Sequence, residues 1–190
     1  MSLSKVETEK PPITYIQSFV VSPDAVFEGL KGLDWERRET TPRSEYYINE
    51  VGNPYTYGVG RGQREYLPRP NHPFIEQMQA QLLAMTGFKF EVCFLNRYHN
   101  QSDHLGWHAD DSPEMDDARP IAIVSLGVER EIWFCPNTDK TKIYKQILQH
   151  GSLCLMHPQM QNTHLHRIPK AGFNCGERIS LTFRGYVSST

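Results

Sequence analysis

A histidine and an aspartate two positions apart, His108 and Asp110, form the pattern in this sequence that most directly suggests chemistry. On an extended backbone, residues i and i+2 point to the same side, so this imidazole and this carboxylate can bind one ion from a single strand end. Two histidines and one carboxylate form a facial set of ligands that leaves positions on iron(II) open for a cosubstrate and oxygen. The pair therefore needs a second histidine before it predicts a metal site.

Two downstream histidines, His164 and His166, could supply the third ligand. Their spacing places both on the same face of a predicted strand, so periodicity does not distinguish them. The alternative for either residue is a half-buried histidine satisfied by hydrogen bonds. The remaining histidines are interpreted mainly as loop or surface residues.

The last predicted strand provides an independent indication. Polar and apolar residues alternate between Arg178 and Arg184, which gives one polar face to a strand that should be central. That face consists of Arg178, Ser180, Thr182 and Arg184. Arginine is rarely buried without an anionic partner, and its planar guanidinium matches a carboxylate. The row predicts a carboxylate ligand, whereas the alternative is an exposed face with two solvated arginines.

Two short helices precede the strands that must position these residues. Residues 22–33 begin with Ser-Pro and space Val26, Phe27, Leu30 and Leu33 along one helical stripe. The segment after Asn71-His72-Pro73 repeats the signal before Gly87. Its expected apolar stripe is formed by Phe74, Met78, Leu82 and Met85.

Beyond Gly87 the period changes from about 3.6 to 2, which indicates strands. In the first of them, 90–98, the inward row ends in two polar groups, Asn96 and Tyr98. Turn-prone residues separate the others, which are predicted at 121–126, 131–135, 152–156, 163–168 and 178–187. Helices followed by many short strands indicate an α+β protein, mainly β, with a β-sandwich or jelly roll supported by the helices.

Residues from about 40 to 70 mix tyrosines, glycines and arginines. We expect them to form hairpins and loops that lie over a surface. Arg61, Arg64 and Arg69 are opposed locally only by Glu65, which suggests a patch that contacts phosphates. Solvated surface arginines are the alternative.

The composition limits the remaining classes. At 190 residues the chain is long enough for one sizeable core, so a single domain over 1–190 is expected. No apolar run approaches the roughly 18 residues of a membrane span, and a net charge of −2 excludes a generally basic nucleic-acid coat. Four cysteines without CxxC spacing and a polar start predict an unsecreted cytoplasmic, or nuclear, protein with reduced thiols.

Six motifs in order resemble the AlkB-like dioxygenases, which depend on iron(II) and 2-oxoglutarate. The motifs are Asn96-Arg97-Tyr98, His108-Ala109-Asp110-Asp111, Pro120-Ile121 with Ser125-Leu126-Gly127, His150-Gly151-Ser152-Leu153, His166-Arg167-Ile168-Pro169-Lys170 and 178–184. The resemblance is strong over about 90–187 and weaker back to about Pro42-Arg43. It implies a double-stranded β-helix core over 88–188 and a nucleotide-recognition lid over 40–70.

The resemblance also implies roles for individual residues. It selects His166, with His108 and Asp110, as the iron(II) ligands, and it leaves His164 as a neighbour. Arg178 and Arg184 would neutralise the carboxylates of 2-oxoglutarate. Hydrogen bonds to this cosubstrate would come from Asn96, Tyr98 and Thr182. With O2, the site would oxidatively demethylate N-alkylated nucleobases of the 1-methyladenine or 3-methylcytosine type in DNA or RNA, and would release formaldehyde, succinate and CO2.

Substrate contacts are expected from Tyr55, Tyr57, Arg61, Arg64 and Asp111. An extruded base is usually stacked between flat side chains, and Tyr57 and the His108 ring are the candidates. The tyrosines could instead be core residues of a hairpin. Ser112 departs from the acidic residue of many nucleobase demethylases, which leaves the base preference open. Acidic residues between Arg97 and Arg119 would also repel phosphates, so the backbone should approach from the Arg61 side.

Two other functions fit parts of the pattern. The same dioxygenase chemistry could act on a protein side chain or a small molecule, as the acidic pI and Ser112 permit. A jelly-roll binding module without catalysis would give no reason for Arg178 and Arg184 to share a face near the metal strand. The preferred reading is a monomeric repair enzyme for alkylated DNA or RNA.

Overall fold

The structure, a computed structural model, describes residues 9–57 and 63–187. They form a seven-stranded sheet, a four-stranded sheet, a two-stranded hairpin and two α-helices. The helices are α1 (Pro23–Lys31) and α2 (Pro73–Thr86). The strands are β1 (Ile13–Ile16), β2 (Glu36–Arg37), β3 (Ser44–Asn49), β4 (Tyr55–Tyr57), β5 (Arg64–Tyr66), β6 (Val92–Tyr98), β7 (Leu105–His108), β8 (Ile121–Gly127), β9 (Arg130–Pro136), β10 (Tyr144–Leu148), β11 (Ser152–Met156), β12 (His164–Ile168) and β13 (Arg178–Arg184).

The last eight strands form a jelly roll. The large sheet has the order β1-β11-β8-β13-β6-β3-β2, and the small sheet has the order β10-β9-β12-β7. From β6 onward the chain therefore alternates between the two sheets, except for the β9–β10 hairpin, and every pair is antiparallel. The fold class expected from the sequence is confirmed.

The alternation on β13 separates the core from the site. Ile179, Leu181 and Phe183 are fully buried in one cluster with Leu30 of α1 and Leu82 of α2. Burial of such side chains stabilises the fold by about 1.5–3 kcal/mol each. The helices thus cover the outer face of the large sheet, and the polar row of β13 faces the interior between the sheets.

Both predicted helices are present, with corrected ends and faces. Ser22 precedes α1, but its side chain makes no capping hydrogen bond to the helix. The backbone of Ser22 is in the left-handed region, with a φ of 53°. The N-terminus of α2 is capped instead by Nδ1 of His72, which accepts a hydrogen bond from the Phe74 amide at 3.3 Å. The predicted stripe of α2 is wrong at Met85, which is 43% exposed, because the buried face is formed by Ile75, Met78, Gln79 and Leu82.

The structure corrects the expectation that residues 40–70 lie over a surface. All six residues of β3 are buried, and this strand pairs with β2 and with β6 inside the large sheet. Its sequence hides the strand pattern because Ser44 and Glu45 are polar yet buried, with hydrogen-bond partners. The expected hairpin is present, and we call the pair β4–β5 the tyrosine hairpin.

Strands β1 and β10 were not predicted, and β7 was expected only as a strand end at His108. These three strands are short. In each of them a polar or exposed residue, such as Gly106 or Lys145, interrupts the apolar alternation that predicts a strand. Within 9–57 and 63–187, no helix is both long and apolar enough to cross a bilayer.

Candidate active site

Strands β7 and β12 bring the two histidines of the predicted metal site together. His108 and His166 are directly opposite each other in the antiparallel pair, with ring centroids 4.2 Å apart. Asp110 follows β7 by two residues, and its oxygens lie 3.6 Å from Nε2 of each histidine. One ligand atom from each of the three residues falls within 4.8 Å of the others. The His-Asp-His arrangement expected from the sequence is therefore present.

The two imidazoles are in the protonation state that a metal ion needs. Nδ1 of His108 donates a hydrogen bond to the Gly106 carbonyl at 2.9 Å, which leaves the lone pair on Nε2, the atom nearest Asp110. Burial lowers the pKa of His108, and burial together with the His108 charge lowers the pKa of His166 to about 3. Both rings are therefore neutral near pH 7.

Asp110 is held as a carboxylate by its surroundings. Burial by itself would raise its pKa, but Arg184 and the two histidines outweigh burial and lower the pKa to about 2. Nη2 of Arg184 donates to Oδ1 at 2.6 Å, and the Asp110 amide donates to the Gln161 side chain at 2.9 Å. Among the described residues, Oδ2 has no hydrogen-bond partner. This buried, unpartnered anionic oxygen beside two neutral imidazoles fits an iron(II) ion.

Arg178, at the other end of β13, is fully buried without an acidic partner in the described part of the chain. Its Nη2 donates to Ser125 at 2.8 Å and to Ser180 at 3.3 Å, whereas Nε and Nη1 have no partner. Burial, reinforced by the nearby charge of Arg130, lowers its pKa to about 10. Two unpartnered donor nitrogens on a buried cation fit a carboxylate ligand.

The other residues expected to contact the cosubstrate are adjacent to Arg178 in the sheet. Tyr98 and Asn96 of β6 are directly opposite Arg178 and Ser180 of β13. The Arg178 guanidinium carbon lies 5.2 Å from the centre of the Tyr98 ring. Thr182 is 7% exposed on the same face of β13. The structure thus places all of these residues between the two sheets.

The two arginines of β13 have different surroundings. Six residues of extended strand separate their Cα atoms by roughly 20 Å. Arg184 is paired with Asp110 at the metal end, whereas the free N–H groups of Arg178 are at the opposite end. Arg184 therefore holds the metal-site carboxylate, a contact that the sequence did not indicate.

A pocket beside the triad is lined on one side by the tyrosine hairpin. Tyr55, Tyr57 and Tyr66 line it with His108 and Asp110. Tyr55 is 3% exposed, and its hydroxyl shares a hydrogen bond with Ser112 at 2.7 Å. Of the expected flat pair, Tyr57 and His108 do line the same pocket, and Tyr55 also belongs to a buried aromatic cluster.

The remaining predicted substrate residues of the described part of the chain do not line this pocket. The Arg64 guanidinium lies 5.6 Å from the centre of the Tyr57 ring. Arg69 pairs with Asp34 at 2.7 Å, and Asp111 is exposed after Asp110. Arg61 falls outside the described residues.

Ion pairs within the fold neutralise part of the acidic stretch between Arg97 and Arg119. Asp103 pairs with Arg37 at 2.9 Å, and Asp116 pairs with Arg119 at 2.9 Å. With the Asp110–Arg184 pair, these contacts reduce the repulsion of phosphates that the sequence suggested.

Three residues near the triad were not predicted as site residues. Arg43, which directly precedes β3, and Glu45 of β3 are buried beside Asn96, and Gln161 holds the backbone of Asp110. A charged pair two positions apart in a polar strand was the available signal for Arg43 and Glu45. The sequence contains no comparable signal for Gln161.

Comparison with known proteins agrees with this geometry. Residues 31–184 match the 2OG-Fe(II) oxygenase superfamily. The chain belongs to this superfamily. Members are dioxygenases, and membership implies Fe(II), 2-oxoglutarate and O2 as cofactor and cosubstrates, which fits the triad and the free N–H groups of Arg178.

Relatives within the superfamily are AlkB homologues. The chain is 30% identical over 152 residues to DNA oxidative demethylase ALKBH2 of Mus musculus, covering 76% of this chain and 62% of that protein. It is 32% identical over 179 residues to alpha-ketoglutarate-dependent dioxygenase alkB homolog 3 of Bos taurus, covering 85% and 60%. The match thus spans about three fifths of these relatives. The resemblance to AlkB-like oxygenases is confirmed.

A solved structure of OsALKBH1 has the same fold. It superimposes with a TM-score of 0.69 over 94% of this chain and 98% of that chain, at 16% sequence identity.

Proposed function

We propose that the protein oxidatively demethylates N-alkylated nucleobases, of the 1-methyladenine or 3-methylcytosine type, in DNA or RNA. The observation that supports this most directly is the pocket in which the tyrosine hairpin faces the His108–Asp110 end of the metal site. Two curated relatives at about 30% identity have the name DNA oxidative demethylase or alkB homolog, which agrees with this substrate class.

In this proposal the triad holds iron(II), and 2-oxoglutarate is bound by Arg178. When bound, iron(II), 2-oxoglutarate and O2 would supply the oxidant: one oxygen atom would enter succinate as 2-oxoglutarate loses CO2, the other would hydroxylate the N-methyl carbon, and formaldehyde would leave from the resulting hydroxymethyl group. The free Nε and Nη1 of Arg178 bind a cosubstrate carboxylate. Arg184 fixes Asp110, which keeps both carboxylate oxygens directed at the ligand side of the histidines.

The residues of the tyrosine hairpin position the nucleobase. Tyr57 and the His108 ring form the flat sides of the pocket, as an extruded base requires. The Tyr55–Ser112 hydrogen bond provides a neutral hydroxyl pair near the base edge. Arg64, beside the Tyr57 ring, contributes positive charge for a phosphate at the mouth.

The test is product release by protein loaded with iron(II) under anaerobic conditions and then given 2-oxoglutarate, oxygen and oligonucleotides. Oligonucleotides with 1-methyladenine or 3-methylcytosine should give formaldehyde and succinate in equal amounts. Unmethylated oligonucleotides of the same sequence are the control. Succinate without formaldehyde would direct the substrate search to proteins or metabolites, and it would overturn the nucleobase assignment.

A further inference from the structure

A buried carboxylate on β3 links two parts of the site that the proposed mechanism treats separately. Glu45 is 1% exposed, and each of its side-chain oxygens accepts a hydrogen bond. Oε1 accepts from Nη2 of Arg43 at 2.7 Å, and Oε2 accepts from the Tyr66 hydroxyl at 2.8 Å. Tyr66 ends β5 of the tyrosine hairpin. One carboxylate therefore joins the large sheet to the hairpin.

The same chain of contacts continues to the expected cosubstrate residue. Nε of Arg43 donates to Oδ1 of Asn96 at 2.6 Å. Glu45 and Asn96 are also directly opposite each other in the β3–β6 pair. Three members of this chain, Arg43, Asn96 and Tyr66, line the pocket that contains His108 and Asp110.

The arginine determines the orientation of the Asn96 amide. A guanidinium only donates hydrogen bonds, so the amide oxygen must face Arg43 and the amide nitrogen must point away from it. The two N–H groups of Asn96 are then presented in one direction. Arg43 can hold this position only while Glu45 balances its buried charge, because an unpaired buried arginine is strongly unfavourable.

We propose that Glu45 is a positioning residue that couples the cosubstrate side of the site, through Arg43 and Asn96, to the tyrosine hairpin, through Tyr66. The inference rests on the proposed function in one respect, since it takes Asn96 as a cosubstrate contact and the hairpin as the substrate lid. Its consequence is that 2-oxoglutarate fixes the hairpin and strengthens binding of the methylated nucleobase. By linkage, the nucleobase strengthens binding of 2-oxoglutarate by the same factor.

The first test measures the hairpin directly and needs no turnover. Protein loaded with Mn(II) is compared with and without 2-oxoglutarate by amide hydrogen exchange at Arg64–Tyr66. We expect 2-oxoglutarate to slow this exchange in the natural protein, and we expect the effect to disappear in Tyr66→Phe and in Glu45→Gln. Tyr46→Phe is the matched control, because Tyr46 is a buried tyrosine of β3 whose hydroxyl donates only to the Pro70 carbonyl on the other side of the sheet.

The second test measures the coupling between ligands. Calorimetry of the Mn(II) protein should give a 2-oxoglutarate affinity that rises about 5-fold or more when a methylated oligonucleotide is bound. In Tyr66→Phe the affinity for 2-oxoglutarate alone should be unchanged and the rise should be absent. Tyr46→Phe should keep the rise.

The outcomes separate this inference from the proposed function. If 2-oxoglutarate protects the hairpin equally in Tyr66→Phe and in the natural protein, the coupling through Glu45 is overturned. A lower melting temperature with the coupling intact would overturn it as well, since the contact would then only be structural. Protection that depends on Tyr66, in a protein that binds no methylated oligonucleotide, would support the coupling and contradict the demethylase proposal. If Glu45→Gln does not fold, Tyr66→Phe alone decides.

Discussion

Arg184 and Asp110, which are 74 positions apart in the sequence, form a 2.6 Å ion pair in the interior of the jelly roll. The pair lowers the pKa of a carboxylate whose burial would otherwise raise it. Arg184 contacts only Oδ1, so Oδ2 stays available beside Nε2 of His166. The cation thus prepares the ligand without competing for the ligand position.

Replacement of Asp110 by alanine should abolish metal binding. The change removes the carboxylate of the triad and leaves Arg184 buried without its partner, which should also destabilise the fold by about 3–5 kcal/mol. Co(II) titration followed by its visible absorption measures the first effect, and thermal unfolding measures the second. The control is His164→Ala, two positions before His166 on the same strand and outside the triad. Retained Co(II) binding in Asp110→Ala would place the metal elsewhere.

Replacement of Arg178 by methionine should separate stability from cosubstrate binding. Arg178 is a buried cation without an acidic partner among the described residues, so an apolar side chain of similar length should leave the ligand-free protein equally stable or more stable. Loss of a charge-assisted contact should weaken 2-oxoglutarate binding by about 1.5–3 kcal/mol, or roughly 10- to 150-fold. Thermal shift with and without 2-oxoglutarate checks both parts. An unchanged ligand-induced shift would remove Arg178 from the cosubstrate site.

Replacement of Tyr57 by alanine should slow demethylation and spare the turnover of 2-oxoglutarate alone. The ring lines the pocket, whereas the metal and Arg178 positions do not depend on it. Loss of base stacking should cost about 1–3 kcal/mol of substrate binding. The ratio of formaldehyde to succinate should therefore fall below that of the natural protein. If both products fall together, Tyr57 supports the whole site and is not a base contact.

Stability should decrease in acid partly through Asp103. Burial would raise the pKa of Asp103, but hydrogen bonds from Arg37 and from the His99 amide outweigh it and lower the pKa below the usual 3.8. A lowered pKa in the folded state means that Asp103 stabilises the fold above its unfolded pKa, and that this stabilisation is lost as pH falls through the folded pKa. Denaturant unfolding of Asp103→Asn should show a lower free energy of unfolding at pH 7 and a shallower decline below about pH 4. Parallel pH curves for the two proteins would contradict this assignment.

The parts of the site that the sequence revealed are those that follow a period of two along one strand. His108 with Asp110, and the polar face of Arg178 to Arg184, are visible because residues i and i+2 share a side. The same alternation predicts a β-sandwich or a jelly roll, and the family resemblance selects the jelly roll. His166 was chosen over His164 only by the family resemblance, since both satisfy the period.

The parts that the sequence concealed depend on pairing between distant strands. Glu45 lies beside Asn96 because of the register in which β3 pairs with β6. No local sequence pattern predicts that register. The same holds for Arg184, whose partner is 74 positions away. The sequence of β3 predicts surface hairpins and loops, because the hydrogen bonds that satisfy its polar residues come from outside the strand.

β7 lies at the edge of the small sheet, so a metal ion at its end would affect how firmly this strand is held in the fold. Among residues 9–57 and 63–187, β7 pairs with β12 alone, at two positions separated by an irregularity, and one of those positions is the His108–His166 pair. A metal ion bound there joins an edge strand to its neighbour with bonds much stronger than the few backbone hydrogen bonds that hold it. Bound iron would therefore hold β7 in the sheet as well as complete the site, and its loss would free the strand that carries His108 and is followed by Asp110.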